Sequence, residues 1–163
     1  MYLYIITDCD AAPADRAGRQ MSRVGLNAIF YTCSERGKST AEAILKYQDS
    51  DCRCELLDSL CDLDREKTAA FMGVPIGGLV GMKRVVVVVP ADAFGKHLGP
   101  ALMHVSDRSK KEGVQFASTE GTISLFDAKK HDQVDITGYF INSSMHLKVS
   151  DIETIKDLPL SED

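Results

Sequence analysis

Residues Val85 to Val89 are five consecutive valines. β-Branched side chains lose rotamer freedom in a helix and fit the pleated surface of a strand. An unbroken run, with no polar alternation, marks a strand buried on both faces, as at the centre of a parallel sheet. Such a strand obliges the rest of the chain to cover both faces of its sheet with helices, which is an α/β three-layer sandwich with a mostly parallel central sheet. Leu3 to Ile6 and Ala28 to Tyr31 read as further buried strands, and Leu56 and Leu57 lie in a weaker third. Helices are expected from Asp15, as N-cap, to Gly25, from about Gly37 to Tyr47, and from Asp64 to Met72. Ala93 to Val105 reads as the crossover helix, with Gly95, Gly99 and Pro100 working against its regularity. From Val114 the pattern turns to strands, Thr122 to Phe126 and Ile136 to Ile141, and Ser150 with Glu153 forms a capping box for a short C-terminal helix. Residues 1–163 are read as a single domain.

A formal net charge of −5 argues against nucleic acid and anionic membranes as partners. No stretch reaches the roughly 18 apolar residues of a membrane span, and no basic segment precedes an apolar run at the N-terminus. Five cysteines, an odd number without a repeating framework, fit a reducing cytoplasm better than a disulfide scaffold. No cofactor motif is present. The stretch "VPIGGLVGM" has glycines but lacks the lysine-serine ending of a phosphate loop. Of Cys52 and Cys54, at most one is expected to face inward.

The first strand ends abruptly in "TDCDAA", which puts two acids and a thiol where a parallel α/β fold usually binds its ligand. Downstream come "ADRAGRQM", then "AIFYTCSERGKSTAEAI", "LCDLD", "VVVVVPADAF" and "INSSMHL". In this order the landmarks resemble the histidine phosphatase (phosphoglycerate mutase-like) superfamily. Its members open with a strand into Arg-His-Gly, continue with a Gly-Arg helix, and then carry an arginine ahead of Thr-Ala-Glu. An acid after a Leu-x-Glu stretch follows, then a second histidine after a valine-rich strand, and many close on Asn-x-x-x-His-Leu. Arg36, Thr40-Ala41-Glu42, Asp62, Asn142, His146 and Leu147 match.

The departures fall on the chemistry. The resemblance implies a pocket formed by Thr7, Asp8, Cys9, Cys33, Arg36, Asp62, Ala91 and Asp92. Family catalysis uses a histidine nucleophile, with arginines and a second histidine holding the phosphoryl oxygens. Here Arg-His-Gly is replaced by Thr7-Asp8-Cys9, and the second histidine falls at Ala91, with His97 and His104 displaced onto the following helix. One arginine therefore faces Asp8, Asp10 and Asp62, and two like charges about 4 Å apart repel by roughly 4 kcal/mol at an effective dielectric near 20. A phosphate dianion is disfavoured in such a pocket. Arg36 is expected to pair with Asp8 or Asp62, and His146 to be a structural group near the end of the sheet.

The expectation is a catalytically degenerate protein that binds a protein partner or a small ligand. One alternative is an active phosphatase or phosphotransferase with Asp8 as nucleophile and Arg36 as phosphate ligand. Another is a metal or thiol site from Cys9, Cys33 and Cys61, against which stands the tendency of small buried cysteines simply to pack. The family's lid insertion is reduced to about residues 73–84, an apolar stretch whose exposure would favour a homodimer.

Overall fold

The computed structural model describes residues 2–72, 79, 82–104, 120–130 and 139–148. Its strands are β1 (Tyr2–Thr7), β2 (Ala28–Tyr31), β3 (Arg53–Leu56), β4 (Arg84–Val89), β5 (Thr122–Lys130) and β6 (Tyr139–Lys148), in the sheet order β3-β2-β4-β1-β5-β6. The valine strand β4 lies inside, parallel to β1 from Tyr2↔Arg84 to Thr7↔Val89 and to β2 from Ala28↔Val85 to Tyr31↔Val88. β3 adds a fourth parallel strand beside β2, while β5 runs antiparallel to β1 and to β6.

The period of two along β4 divides the core. Val85, Val87 and Val89 join Leu3, Ile5, Phe30 and Phe126 on one face, together with Phe71, Phe94, Leu98 and Leu102. Val86 and Val88 join Tyr4, Ile6 and Ile29 on the other, with Ala17, Met21, Ala41 and Ile44. The first face is therefore covered by α3 (Arg65–Phe71) and by α4, a continuous helix of three segments, Ala91–Ala93, Phe94–Leu98 and Gly99–His104. The second is covered by α1 (Ala11–Met21) and α2 (Glu35–Leu45). All five valines are fully buried, each worth about 1.5–3 kcal/mol relative to exposure. This is the three-layer α/β/α arrangement that the valine run demands.

Several boundaries differ from the sequence reading. α1 begins a turn before Asp15, with Asp10 at its N-cap position. Asp15 is instead an internal residue whose carboxylate accepts from Tyr47 Oη (2.6 Å) and Arg19 Nε (3.0 Å) and lies 3.6 Å from Lys46 Nζ. α2 starts two residues before Gly37, because the Ser34 side chain caps it by accepting from the Gly37 N–H. α3 is capped by Asp64, which accepts from the Lys67 N–H at 2.8 Å. Around Gly95 the middle of α4 widens to π-helical Phe94–Leu98, where glycine lowers the intrinsic preference for regular helix. Strand β3 spans Arg53–Leu56, so Leu57 lies beyond it. Cys52 and Cys54 both belong to the second core face, so the expectation of one inward cysteine is wrong. Residues two apart on a strand share a face. β6 extends to Lys148, well past Ile141, and Asn142 sits at a register irregularity opposite Asp127 and Ala128. His146 pairs in register with Ser124 on this outer strand.

Of the apolar stretch 73–84, Leu79 is buried in the first core and Met82 packs at its margin. Leu79 is thus a core residue and not an exposed interface residue. The remaining positions from 73 to 81, Val114, Ile136 and the expected C-terminal helix lie outside the described residues. Among the described residues, no helix is long and apolar enough to cross a membrane.

Gly18 sets how closely α1 approaches α2. A β-carbon there would lie 2.5 Å from Ala43 O and 2.7 Å from the Tyr47 ring. Gly18→Ala gains about 1 kcal/mol of helix propensity, but it forces a backbone carbonyl to move. The expected net effect is a loss of about 1–3 kcal/mol, measured by urea unfolding. Unchanged or increased stability would show that the two helices separate freely.

Candidate functional site

The helices after β1 and β2 pack on one face of the sheet, while α3 and α4 pack on the other. The chain leaving β4 therefore departs opposite to the chains leaving its two neighbours. This is the topological switch point at which open α/β sheets form a crevice beyond the carboxyl ends of their strands. A cleft of about 520 Å³ lies there, lined by Thr32, Cys33, Ser34, Asp62, Leu63, Pro90, Asp92, Ala93, Lys96 and His97. Asp62 adopts a left-handed backbone at φ 52°, a conformation that aspartate tolerates better than most residues. On the α4 wall of the cleft, Lys96 Nζ lies 3.7 Å from Asp92 Oδ2.

A second cleft of about 550 Å³ opens beside α1 and α2, lined by Cys9, Asp10, Ala11, Ala14, Asp15, Arg36, Ser39, Ala43 and Lys46. The expected single pocket is thus divided. Cys33, Asp62 and Asp92 line one cleft, Cys9 and Arg36 line the other, and Thr7, Asp8 and Ala91 are buried at the strand ends.

Arg36 is held by partners other than those expected. Its guanidinium makes a two-pronged pair with Glu120, through Nη1 to Oε1 and Nη2 to Oε2 (2.6 Å), and Nη2 also donates to Asp10 Oδ1 at 3.1 Å. Neither Asp8 nor Asp62 forms an ion pair with it among the described residues. Asp62 is on the other cleft, and Asp8 acts on Arg36 only through its charge. Glu120 reaches Arg36 because the start of β5 is tied to the end of β1. The Thr122 N–H donates to Thr7 Oγ1 at 2.8 Å, and the two hydroxyls lie 3.0 Å apart. Gly121, at φ 67°, makes the turn between them, a conformation that glycine adopts without a Cβ penalty.

Charges follow this geometry. The hydrogen bond from Arg36 holds the Glu120 carboxyl below its usual range. Asp8, only 7% exposed, continues β1 by donating its N–H to Val89 O at 2.9 Å. Burial pushes its carboxyl upward, Arg36 opposes this, and Glu120 adds to it. Cys9 is pushed up to about 11 by burial, despite its contact with Thr40. The Cys9 N–H donates to Thr40 Oγ1 (3.2 Å), whose hydroxyl donates on to Arg36 O (2.9 Å).

The three candidate thiols do not converge. Cys9 is buried at the α1–α2 cleft, while Cys33 and Cys61 lie by the other, and no group of three or more potential ligands is placed to hold a metal among the described residues. His97 lies on the helix after Ala91, as expected, and lines the cleft with Asp92, Ala93 and Lys96 of α4. The spacing of 92, 93, 96 and 97 is that of one helical face, a signal available in the sequence. Glu120 was missed altogether. Gly121 marks a turn, but nothing local ties that turn to Arg36.

No family model matches this sequence, and no curated protein matches it. Among solved structures, the chain is similar to the protein histidine phosphatase SixA complexed with tungstate, with a TM-score of 0.61 and 14% identity over 93% of this chain and 99% of that one. It is similar also to phosphoglycerate mutase from Plasmodium falciparum, with a TM-score of 0.54 and 13% identity over 87% and 88% of the two chains. At these identities the likeness shows the fold alone, and it is the fold shared by these two proteins.

A buried carboxyl with a raised pKa has a defined effect on stability. In the unfolded chain Asp8 ionises near pH 3.9, whereas in the fold it keeps its proton to a higher pH. Stability is therefore lost as pH rises from the unfolded value through the folded one. Asp8→Asn is expected to raise the thermal midpoint at pH 7 and to leave it nearly unchanged at pH 3.5. A variant less stable at pH 7 than the parent would mean that the Asp8 charge is stabilising.

Proposed function

We propose that this chain keeps the histidine phosphatase fold without its chemistry and acts by binding a protein partner or a small ligand. The observation that carries this reading is the occupied Arg36 fork. Glu120 and Asp10 already take donors from both of its terminal nitrogens, while Nε is buried without a partner, and Asp8 stands where the family's nucleophilic histidine is expected. A carboxylate presents two oxygens to a guanidinium much as a phosphate does. Glu120 therefore acts as a built-in substitute for an oxyanion, and further negative charge is repelled. An open surface is offered by the cleft beside Cys33, Asp62, Asp92, Lys96 and His97, whose acid and base groups suit a mixed-charge or neutral ligand. The free thiols accord with a cytoplasmic setting. Self-association as a homodimer belongs to the same reading and is decided by sedimentation at micromolar concentration.

Purified protein is expected to show no hydrolysis of p-nitrophenyl phosphate above background and no acid-labile phosphohistidine. Turnover that disappears in Asp8→Asn or Arg36→Ala would favour an active enzyme with an aspartate nucleophile. Tungstate provides the complementary test by calorimetry. Wild type is expected to bind it weakly, and Glu120→Gln to tighten binding by up to about fivefold, the scale of one exposed charge pair. If Glu120→Gln leaves tungstate binding unchanged, Glu120 does not exclude anions from Arg36.

A further inference from the structure

Two segments at the carboxyl edge of the sheet run side by side. The Leu57 N–H donates to Tyr31 O at 3.0 Å, and the buried Thr32 Oγ1 donates to Leu60 O at 3.1 Å. These bonds fix the chain leaving β2 against the 3₁₀ turn Asp58–Leu60. The next residue on each segment is a cysteine. These bonds set Cys61 beside Cys33, whose thiol and N–H both act electrostatically on it. Cys33 is exposed and lines the switch-point cleft, whereas Cys61 is half-buried behind it. The other three thiols are placed differently, Cys9 and Cys52 being buried and Cys54 packed against the second core.

We propose that Cys33 and Cys61 form a redox-modification site that a hydroperoxide converts to an intramolecular disulfide. Cys33, the accessible thiol, attacks one peroxide oxygen as its thiolate. The O–O bond breaks, a sulfenic acid forms on Cys33, and the leaving hydroxide takes up a proton as water. The Cys61 sulfur then attacks the sulfenic sulfur. The S–S bond forms as the S–O bond breaks, and the oxygen leaves as a second water carrying the Cys61 proton. Two thiols and one hydrogen peroxide give one disulfide and two waters, with two electrons passing from sulfur to oxygen. Burial pushes the Cys61 thiol upward, which suits the resolving partner better than the first nucleophile. The bridge would tie the loop after β2 to the segment bearing Asp62, so oxidation would fix two walls of the cleft relative to each other. This inference does not depend on the loss of phosphatase chemistry.

The test uses the whole reduced chain, treated with equimolar hydrogen peroxide, blocked with N-ethylmaleimide and digested without reduction for mass spectrometry. The expected product is a Cys33–Cys61 linked peptide that dithiothreitol cleaves, formed at least about tenfold faster than modification of buried Cys9. Cys61→Ser should instead leave a sulfenic acid on Cys33, trapped by dimedone, and Cys52→Ser should leave the bridge intact. Dominant linkage of Cys52 to Cys54, sulfenic acid persisting on Cys33 of the wild type, or all five thiols remaining blockable would each overturn the proposal. Circular dichroism of the serine variants separates loss of the bridge from loss of the fold.

Discussion

β4 has no face and no edge left for water. Its five valine side chains are sealed on both sides of the sheet and their backbone is paired on both flanks, to β1 and to β2. A strand so enclosed cannot slip by one residue without exchanging Val85, Val87 and Val89 for Val86 and Val88, and with valine at every position that exchange carries little cost in side-chain identity. Register must therefore come from its neighbours. The Asn27 side chain supplies one clamp, accepting from the Arg84 N–H at 2.9 Å and the Lys83 N–H at 3.2 Å. The Asp8 N–H, bonded to Val89 O, supplies another at the opposite end. Positions at the carboxyl edge are only as well defined as these clamps make them.

What gathers at that edge is mostly acid. Asp8, Asp10 and Glu120 surround one guanidinium, whose terminal nitrogens are shared between Glu120 and Asp10. Arg36 is thus an arginine already paired with carboxylates. The fold supplies positions, and the side chains at those positions decide the chemistry. The cleft that this guanidinium does not line lies on the α4 side of the switch point.

The layers and the parallel core were legible in the sequence because their signals are local and periodic. Five valines, the Asp64 cap and the apolar face of α2 each act within a few residues of themselves. The division of the pocket was not legible. It depends on the Thr7–Thr122 clamp and on Glu120, which meet residues from the opposite end of the chain. His97 falls between these cases, for its helical spacing from Asp92 and Ala93 was readable, but only once α4 was known to begin at Ala91.

The Arg36–Glu120 pair also carries information about folding order. It joins residues 84 apart in sequence, and the Thr7–Thr122 contact joins residues 115 apart. Closing such long loops is entropically delayed relative to the local pairing of β1, β2 and β4 with their helices. A chain with its parallel strands assembled but β5 still undocked would carry Arg36 without its Glu120 partner. Such a species would be sensitive to anions in solution, and the completed fold would lose that sensitivity as β5 docks. The Glu120 carboxylate thus forms a late long-range contact whose presence marks the sheet as complete.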